Sequence, residues 1–260
     1  MGRDPDHVSG FFADRFSRYN HQAKYGAAGW RSLDLFYNYH EKIAPKLQPN
    51  FEGWITRQWV GKCENRQAVT NRLKIAIELI ANSLQEHAAE PEIRLLSIAS
   101  GSAQAVVEAM KKHPELNVKV LLIDFDESAL REARILVQES GLESRFSYLV
   151  DTTKALEKAG ETFQPHIIEM IGFLDYRPRQ KAISLIGRIR NQLPAGGVFL
   201  TCNIHHNREK IFLDWILLWP MIYRTDAEFA ELVVEGGFAP EKVQIIYEPF
   251  KIHGIAVCKK

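Results

Sequence analysis

Two apolar spacings divide the chain. Between Glu64 and about Gln85, the residues Val69, Leu73, Ala76, Ile77, Ile80 and Leu84 recur every three or four positions. That spacing predicts a long helix with one buried stripe. Nearly continuous apolar runs follow at Leu95 to Ile98, Val118 to Ile123, Phe146 to Val150, Ile167 to Tyr176 and Val198 to Ile204. Each is too short for a free helix and suits a strand buried on both faces of a parallel sheet. Helical stretches lie between them, among them Arg179 to Leu193 with Ile183, Ile186, Ile189 and Leu193 on one face. Strands alternating with helices predict an α/β fold with a doubly wound sheet.

Turn chemistry agrees with that division. Asp126 stands where it can cap a helix beginning near Glu127, and Pro194-Ala-Gly-Gly197 reverses the chain before the run at Val198. Thr225-Asp226-Ala-Glu228 opens a further helix that Gly236-Gly237 ends. Lys242 to Tyr247 and Ile252 to Cys258 then read as two strands joined through Glu248-Pro-Phe-Lys251.

The candidate chemistry lies at the ends of the predicted strands. Small residues from Ala99 to Ala103 separate the first strand from a helix, leaving room for a ligand beside N–H groups at the positive end of the helix dipole. The second strand ends in Asp124, roughly 20 residues on, where a doubly wound sheet places an acid against ribose hydroxyls. The third is followed by Asp151-Thr152-Thr153. Glu169 interrupts an apolar strand and has to be paired or lie at the strand's exit.

Together these stretches resemble the class I S-adenosylmethionine-dependent methyltransferases, over about residues 65 to 260. The resemblance implies seven strands in the order 3-2-1-4-5-7-6, the last antiparallel, with S-adenosylmethionine as cofactor. It assigns the cofactor to Ala99, Ser100, Gly101, Asp124, Phe125, Asp151, Thr152, Glu169 and Met170. Asp151 would accept from the adenine amino group, and the segment Glu169 to Gly172 would run beneath the sulfonium. The family's loop carries an acid two residues before three alternate glycines; here Ser97 takes the acid's place, and Ala99, Gly101 and Ala103 take those of the glycines. Alanine fits such a turn if its φ is negative. Another residue or a water then has to replace the acid at the methionine amino group.

The chain's first quarter differs. Residues 10 to 60 are rich in aromatics (Phe11, Phe12, Phe16, Tyr19, Tyr25, Trp30, Phe36, Tyr37, Tyr39, Phe51, Trp54 and Trp59) mixed with Arg15, Arg18, Arg31 and His40. Gly26, Gly29, Pro45, Pro49 and Gly53 divide it into short helical pieces. Residues 1–63 read as a helical cap over the sheet's carboxyl edge and 64–260 as the Rossmann-like domain. After the fifth strand, His205 and His206 are candidate general bases. Tyr37, His205, Trp219 and Tyr223 are candidate substrate contacts. Arg66 and Arg72 on the long helix read as surface charges, either of which could instead meet the cofactor's carboxylate.

Composition narrows the function. With 46% apolar and 25% charged residues and a formal net charge of +1, the chain has no bulk attraction to nucleic acid or an acidic membrane. Cys63, Cys202 and Cys258 have neither metal nor disulfide spacing, and no run is long enough for a membrane helix, so a cytoplasmic chain without metal is expected. The N-terminal Met-Gly-Arg-Asp-Pro-Asp-His has no apolar signal core. There is no intact Gly-x-Gly-x-x-Gly for a nicotinamide enzyme, no Asn/Asp-Pro-Pro-Tyr after the fourth strand and no Pro-Cys pair. An aminopropyl transferase lacks the paired acids it would favour there. A small methyl acceptor is the expectation, aligned with the sulfonium methyl group. The alternative is a binding or scaffolding protein on a degenerate methyltransferase fold.

Overall fold

A computed structural model describes residues 7–11 and 15–260; Phe12 lies outside the described residues. In chain order the helices are α1 (Arg18–Tyr25), α2 (Trp30–Tyr37), α3 (Phe51–Thr56), α4 (Glu64–Glu86), α5 (Gln104–Lys112), α6 (Glu127–Glu139), α7 (Leu156–Phe163), α8 (Arg179–Gln192), α9 (Lys210–Trp215) and α10 (Asp226–Glu235). The strands are β1 (Ile93–Ile98), β2 (Val118–Asp124), β3 (Phe146–Val150), β4 (Ile167–Met170), β5 (Val198–Ile204), β6 (Val243–Tyr247) and β7 (His253–Lys259). The chain divides into two compact units. One holds the described residues up to Leu73 with His206–Met221 and Glu248–His253; the other holds Lys74–His205, Ile222–Tyr247 and Gly254–Lys260.

The second unit is built on a seven-stranded sheet in the order β3-β2-β1-β4-β5-β7-β6. β1 pairs in parallel with β2 and β4, β2 with β3 and β4 with β5, whereas β6 and β7 run antiparallel. All side chains of β4 and β5 are buried, as continuous apolar runs require when helices cover both faces. On one face Leu95, Val120 and Ile167 pack with Ile80 and Leu84 of α4 and Val106 and Met110 of α5. On the other Leu96, Ile98 and Ile168 pack with Ile186 and Ile189 of α8 and Phe229 and Leu232 of α10. The register Ser97↔Leu122, Ser97↔Glu169 and Asp124↔Val150 brings the carboxyl ends of β1 to β4 to one edge of the sheet. Asp126 caps α6 by accepting from the Ser128 N–H at 2.8 Å, and Thr225 with Glu228 forms a capping box on α10.

At the exit of β5 the chain is tied down by buried polar groups. Asp175 accepts from the Ile204 N–H at 2.7 Å, while Arg224 donates to the carbonyl groups of Leu174 and Arg177 and to the side chain of Asn203. These bonds fix the backbone from which His205 emerges.

In the first unit, α1 ends at Gly26 and Gly29 precedes α2, as the glycines suggest. Gly53 instead lies inside α3, where an added Cβ would come within 1.9 Å of the Gln48 carbonyl oxygen. Ser17 and Thr56 join α1 to α3 through a 2.7 Å hydroxyl contact, and Phe36 stacks on Trp219 at 6.0 Å. The carboxylate of Glu209 accepts from the N–H groups of Glu64 and Asn65 at 2.8 and 2.7 Å, satisfying the start of α4.

Arg66 and Arg72 are not surface charges. Both are buried; Arg66 donates to the carbonyl groups of Val60 and Gly61 with its guanidinium 4.8 Å from the Tyr39 ring centre, and Arg72 lies 3.5 Å from His253 and 3.4 Å from the Tyr37 hydroxyl. Periodicity misplaces them because α4 is covered on more than its apolar stripe.

Candidate functional site

The loop from β1 to α5 adopts the backbone of a glycine turn without its glycines. Ala99, Gly101 and Ala103 all have left-handed φ, at 53°, 55° and 57°. The expectation of negative φ at the alanines is therefore wrong: tertiary contacts hold both in a region that disfavours a Cβ by about 1–2 kcal/mol per residue. Those contacts are visible. The Ser100 N–H donates to the Ile123 carbonyl at 3.2 Å, the Ala103 N–H to Ser100 at 3.0 Å, and the Gly101 N–H to Asp124 Oδ2 at 2.9 Å. Ala103 occupies the N-cap of α5, where its methyl side chain makes no cap bond. The Ser100 hydroxyl is buried with no hydrogen-bond partner.

Asp124 is held on both oxygens. Oδ1 accepts from the Asp126 N–H at 2.9 Å while Oδ2 takes Gly101, leaving lone pairs on each for further donors. Burial raises its pKa, opposed by backbone donors at Asp126, Gly101 and Phe125. Phe125 next to it is 73% exposed, a large apolar ring left on the surface. The Asp151 N–H bonds the Asp124 carbonyl at 3.1 Å, and Asp151 Oδ1 accepts from the Thr152 N–H at 2.6 Å; both residues are exposed. Ala99, Ser100, Gly101, Asp124, Phe125, Asp151 and Thr152 thus share the edge formed by the first three strands.

β4 supplies the other side of β1. Glu169 is buried, and its side-chain partner is the Ser97 hydroxyl, its register neighbour on β1. Burial pushes the Glu169 carboxyl up to about 7, against hydrogen bonds from Ser97 and the Ile171 N–H. Met170 sends its side chain into the core among Leu174 and Ile186, which leaves its backbone alone for the site; its carbonyl already accepts from Thr201 at 2.8 Å.

The substrate candidates divide between the units. Tyr37 and Trp219 belong to the first, the latter buried against Phe36. His205 and Tyr223 belong to the second, while His206 is exposed in the first. His205 Nε2 lies 3.2 Å from Asp226 Oδ1 and its ring stands edge-on to Tyr247 at 6.2 Å. Asp226 was legible only as a helix-start residue, since the carboxylate meets the histidine through the fold. Among the described residues no three His, Cys, Asp or Glu side chains cluster to hold a metal ion.

Residues 23–260 match the model of a family described as "Putative methyltransferase". Among solved structures, a Bordetella parapertussis protein described as a possible exported protein superposes with TM-score 0.68 at 16% identity, covering 93% of this chain and 86% of that one. Magnesium protoporphyrin IX methyltransferase from Synechocystis PCC 6803, with bound SAM, gives TM-score 0.54 at 10% identity over 75% and 83% of the two chains. Human N-acetylserotonin methyltransferase in complex with SAM gives 0.53 at 14% identity over 94% and 68%. At these identities the likeness is one of fold. No curated protein matches the chain.

Two outcomes are expected of the site itself. Ala99→Gly relieves the left-handed alanine and offsets the entropy cost of glycine, so urea unfolding should show stability unchanged or raised by up to about 1 kcal/mol; a loss of that size would contradict the strain. For Glu169 the folded pKa lies above the ordinary 4.5, so the folded state holds the extra proton between 4.5 and about 7. Stability from this group is therefore present at low pH and falls by about 3 kcal/mol in all as pH rises from about 4.5 to about 7. Unfolding curves from pH 5 to 8 should lose that much of their slope in Glu169→Gln; an unaltered slope would show the carboxyl ionises normally.

Proposed function

The chain belongs to the Putative methyltransferase family, and from that premise we propose that it binds S-adenosylmethionine and transfers the methyl group to a small-molecule acceptor. The observation that carries the reading is the left-handed turn Ala99-Gly101-Ala103 bonded to Asp124 on the neighbouring strand. The residues present fit the cofactor. Asp124 keeps acceptor capacity for the ribose hydroxyls, the Asp151 carboxylate can accept from an adenine amino group while the Thr152 N–H holds its Oδ1, and exposed Phe125 offers a face for the base. The N-terminal end of α5 and the unpartnered Ser100 hydroxyl suit a carboxylate.

When bound, the cofactor supplies an activated methyl group on its sulfonium. The chain's own task is to hold the acceptor in line and to take up its proton where it has one. His205, with Asp226 orienting its ring, is the proposed base. Tyr37, Trp219, His205 and Tyr223 are proposed acceptor contacts on their aromatic or basic character. Two structural neighbours are named for small-molecule substrates, magnesium protoporphyrin IX and N-acetylserotonin, which supports an acceptor of that class. Among the described residues no helix is long and apolar enough to cross a membrane, and a cytoplasmic site of action is proposed.

Titration calorimetry tests the cofactor reading: micromolar binding of S-adenosylmethionine is expected, and Asp124→Ala should weaken it by about 1.5–3 kcal/mol. Unweakened binding in a folded variant would remove the ribose assignment. Once an acceptor is found, His205→Ala should lower kcat by about 100-fold or more, the scale of general base catalysis. Undiminished turnover would leave alignment as the whole mechanism.

A further inference from the structure

Glu169 is a buried carboxyl without a cation beside it. Its neighbours on β4, Ile167, Ile168 and Met170, are apolar and fully buried, so the strand needs no carboxylate for packing. Two donors reach it, the Ser97 hydroxyl and the Ile171 N–H, and no charged side chain among the described residues acts on it. A carboxylate accepts at about four lone-pair positions, so about two are left. A buried carboxylate is retained at such cost where a cationic partner completes it.

The ligand class proposed above offers that partner. Its amino-acid tail ends in a carboxylate, which suits the N–H groups of α5, and an ammonium with three hydrogens to donate. A sulfonium has positive charge but no hydrogen, so it cannot satisfy open lone pairs. Asp124 lies on β2, on the other side of β1, and both its oxygens already take backbone donors. Asp151, beyond β3, is exposed, where solvent screens its charge. Asp124 is buried without a cation as well, but its remaining acceptor positions are the ones proposed above for the ribose hydroxyls, which leaves Glu169 for the ammonium. Its register partner Ser97 occupies the position where the motif resembled above carries its own acid, so the negative charge has moved one strand across the sheet at the same level.

We propose that Glu169, presented by β4 directly across from Ser97, binds the α-ammonium of the adenosyl ligand and replaces the acid missing from β1. This rests on the reading that the site takes S-adenosylmethionine, and it assigns Glu169 as a cofactor-binding residue rather than a core residue.

Calorimetry with three probes tests it without turnover: S-adenosylhomocysteine, its desamino analogue, and 5′-methylthioadenosine, which has no amino-acid tail. The wild-type chain should prefer S-adenosylhomocysteine to the desamino analogue by about tenfold or more, the scale of a charge-assisted hydrogen bond. In Glu169→Gln that preference should shrink to about threefold or less, with 5′-methylthioadenosine bound as in wild type within about twofold, showing the adenosyl ledge intact. Adding Ser97→Asp to Glu169→Gln should restore most of the preference by returning the acid to β1. Equal affinity of the wild-type chain for S-adenosylhomocysteine and the desamino analogue would overturn the proposal whether or not any variant folds, as would a full preference surviving in Glu169→Gln. If none of the three probes binds at millimolar concentration, the cofactor reading falls and this inference with it; binding of 5′-methylthioadenosine with no ammonium preference overturns the inference alone.

Discussion

The hydrogen bond from the Gly101 N–H to the Asp124 carboxylate connects everything that gives this chain its chemistry. It ties the loop leaving β1 to the last residue of β2, and so converts two neighbouring strand ends into one ledge. On the far side of β2 the Asp151 N–H bonds the Asp124 carbonyl and adds the end of β3. Parallel pairing makes this geometry available, because every strand from β1 to β5 delivers its carboxyl end to the same edge. Each local feature then has a use: the turn gives room and N–H groups, Asp124 gives acceptors, and Phe125 gives an apolar face.

The ledge is held at a cost in stability, and that cost points to function. Ala99 and Ala103 keep left-handed backbones that glycine would adopt freely, and the Ser100 hydroxyl lies buried without a partner. Strain and orphaned polar atoms gathered in five residues are what a preorganised binding loop shows, where the ligand supplies the missing contacts. The altered loop motif therefore preserves the shape of the turn while changing its residues, and this weakens the alternative of a scaffold that has lost its ligand. Glu169 follows the same logic on the other side of β1.

Much of this was legible from periodicity and turn residues. The strands, the helix caps at Asp126 and Thr225 and the sheet order agree with the structure, because continuous apolar runs and capping chemistry are local signals, except that β4 stops at Met170 and the run to Tyr176 ends in a 3-10 turn. What escaped detection depends on partners distant in sequence. The burial of Arg66 follows from carbonyl groups at Val60 and Gly61 and from the ring of Tyr39, none of which alters the apolar stripe of α4. The pairing of Ser97 with Glu169 follows from strand order and register, though two polar residues each set in a buried strand were a signal that the register could have matched. The sign of φ at Ala99 was invisible because alanine carries no mark of the conformation its neighbours impose.

A crystal of the chain soaked with S-adenosylhomocysteine tests the central claim most directly. Density for an adenosyl group is expected with its ribose hydroxyls on the Asp124 carboxylate, its base beside Phe125 and Asp151, and its tail against the turn from Ala99 to Ala103. A ligand bound elsewhere, or a ledge that stays empty at saturating concentration, would contradict the account.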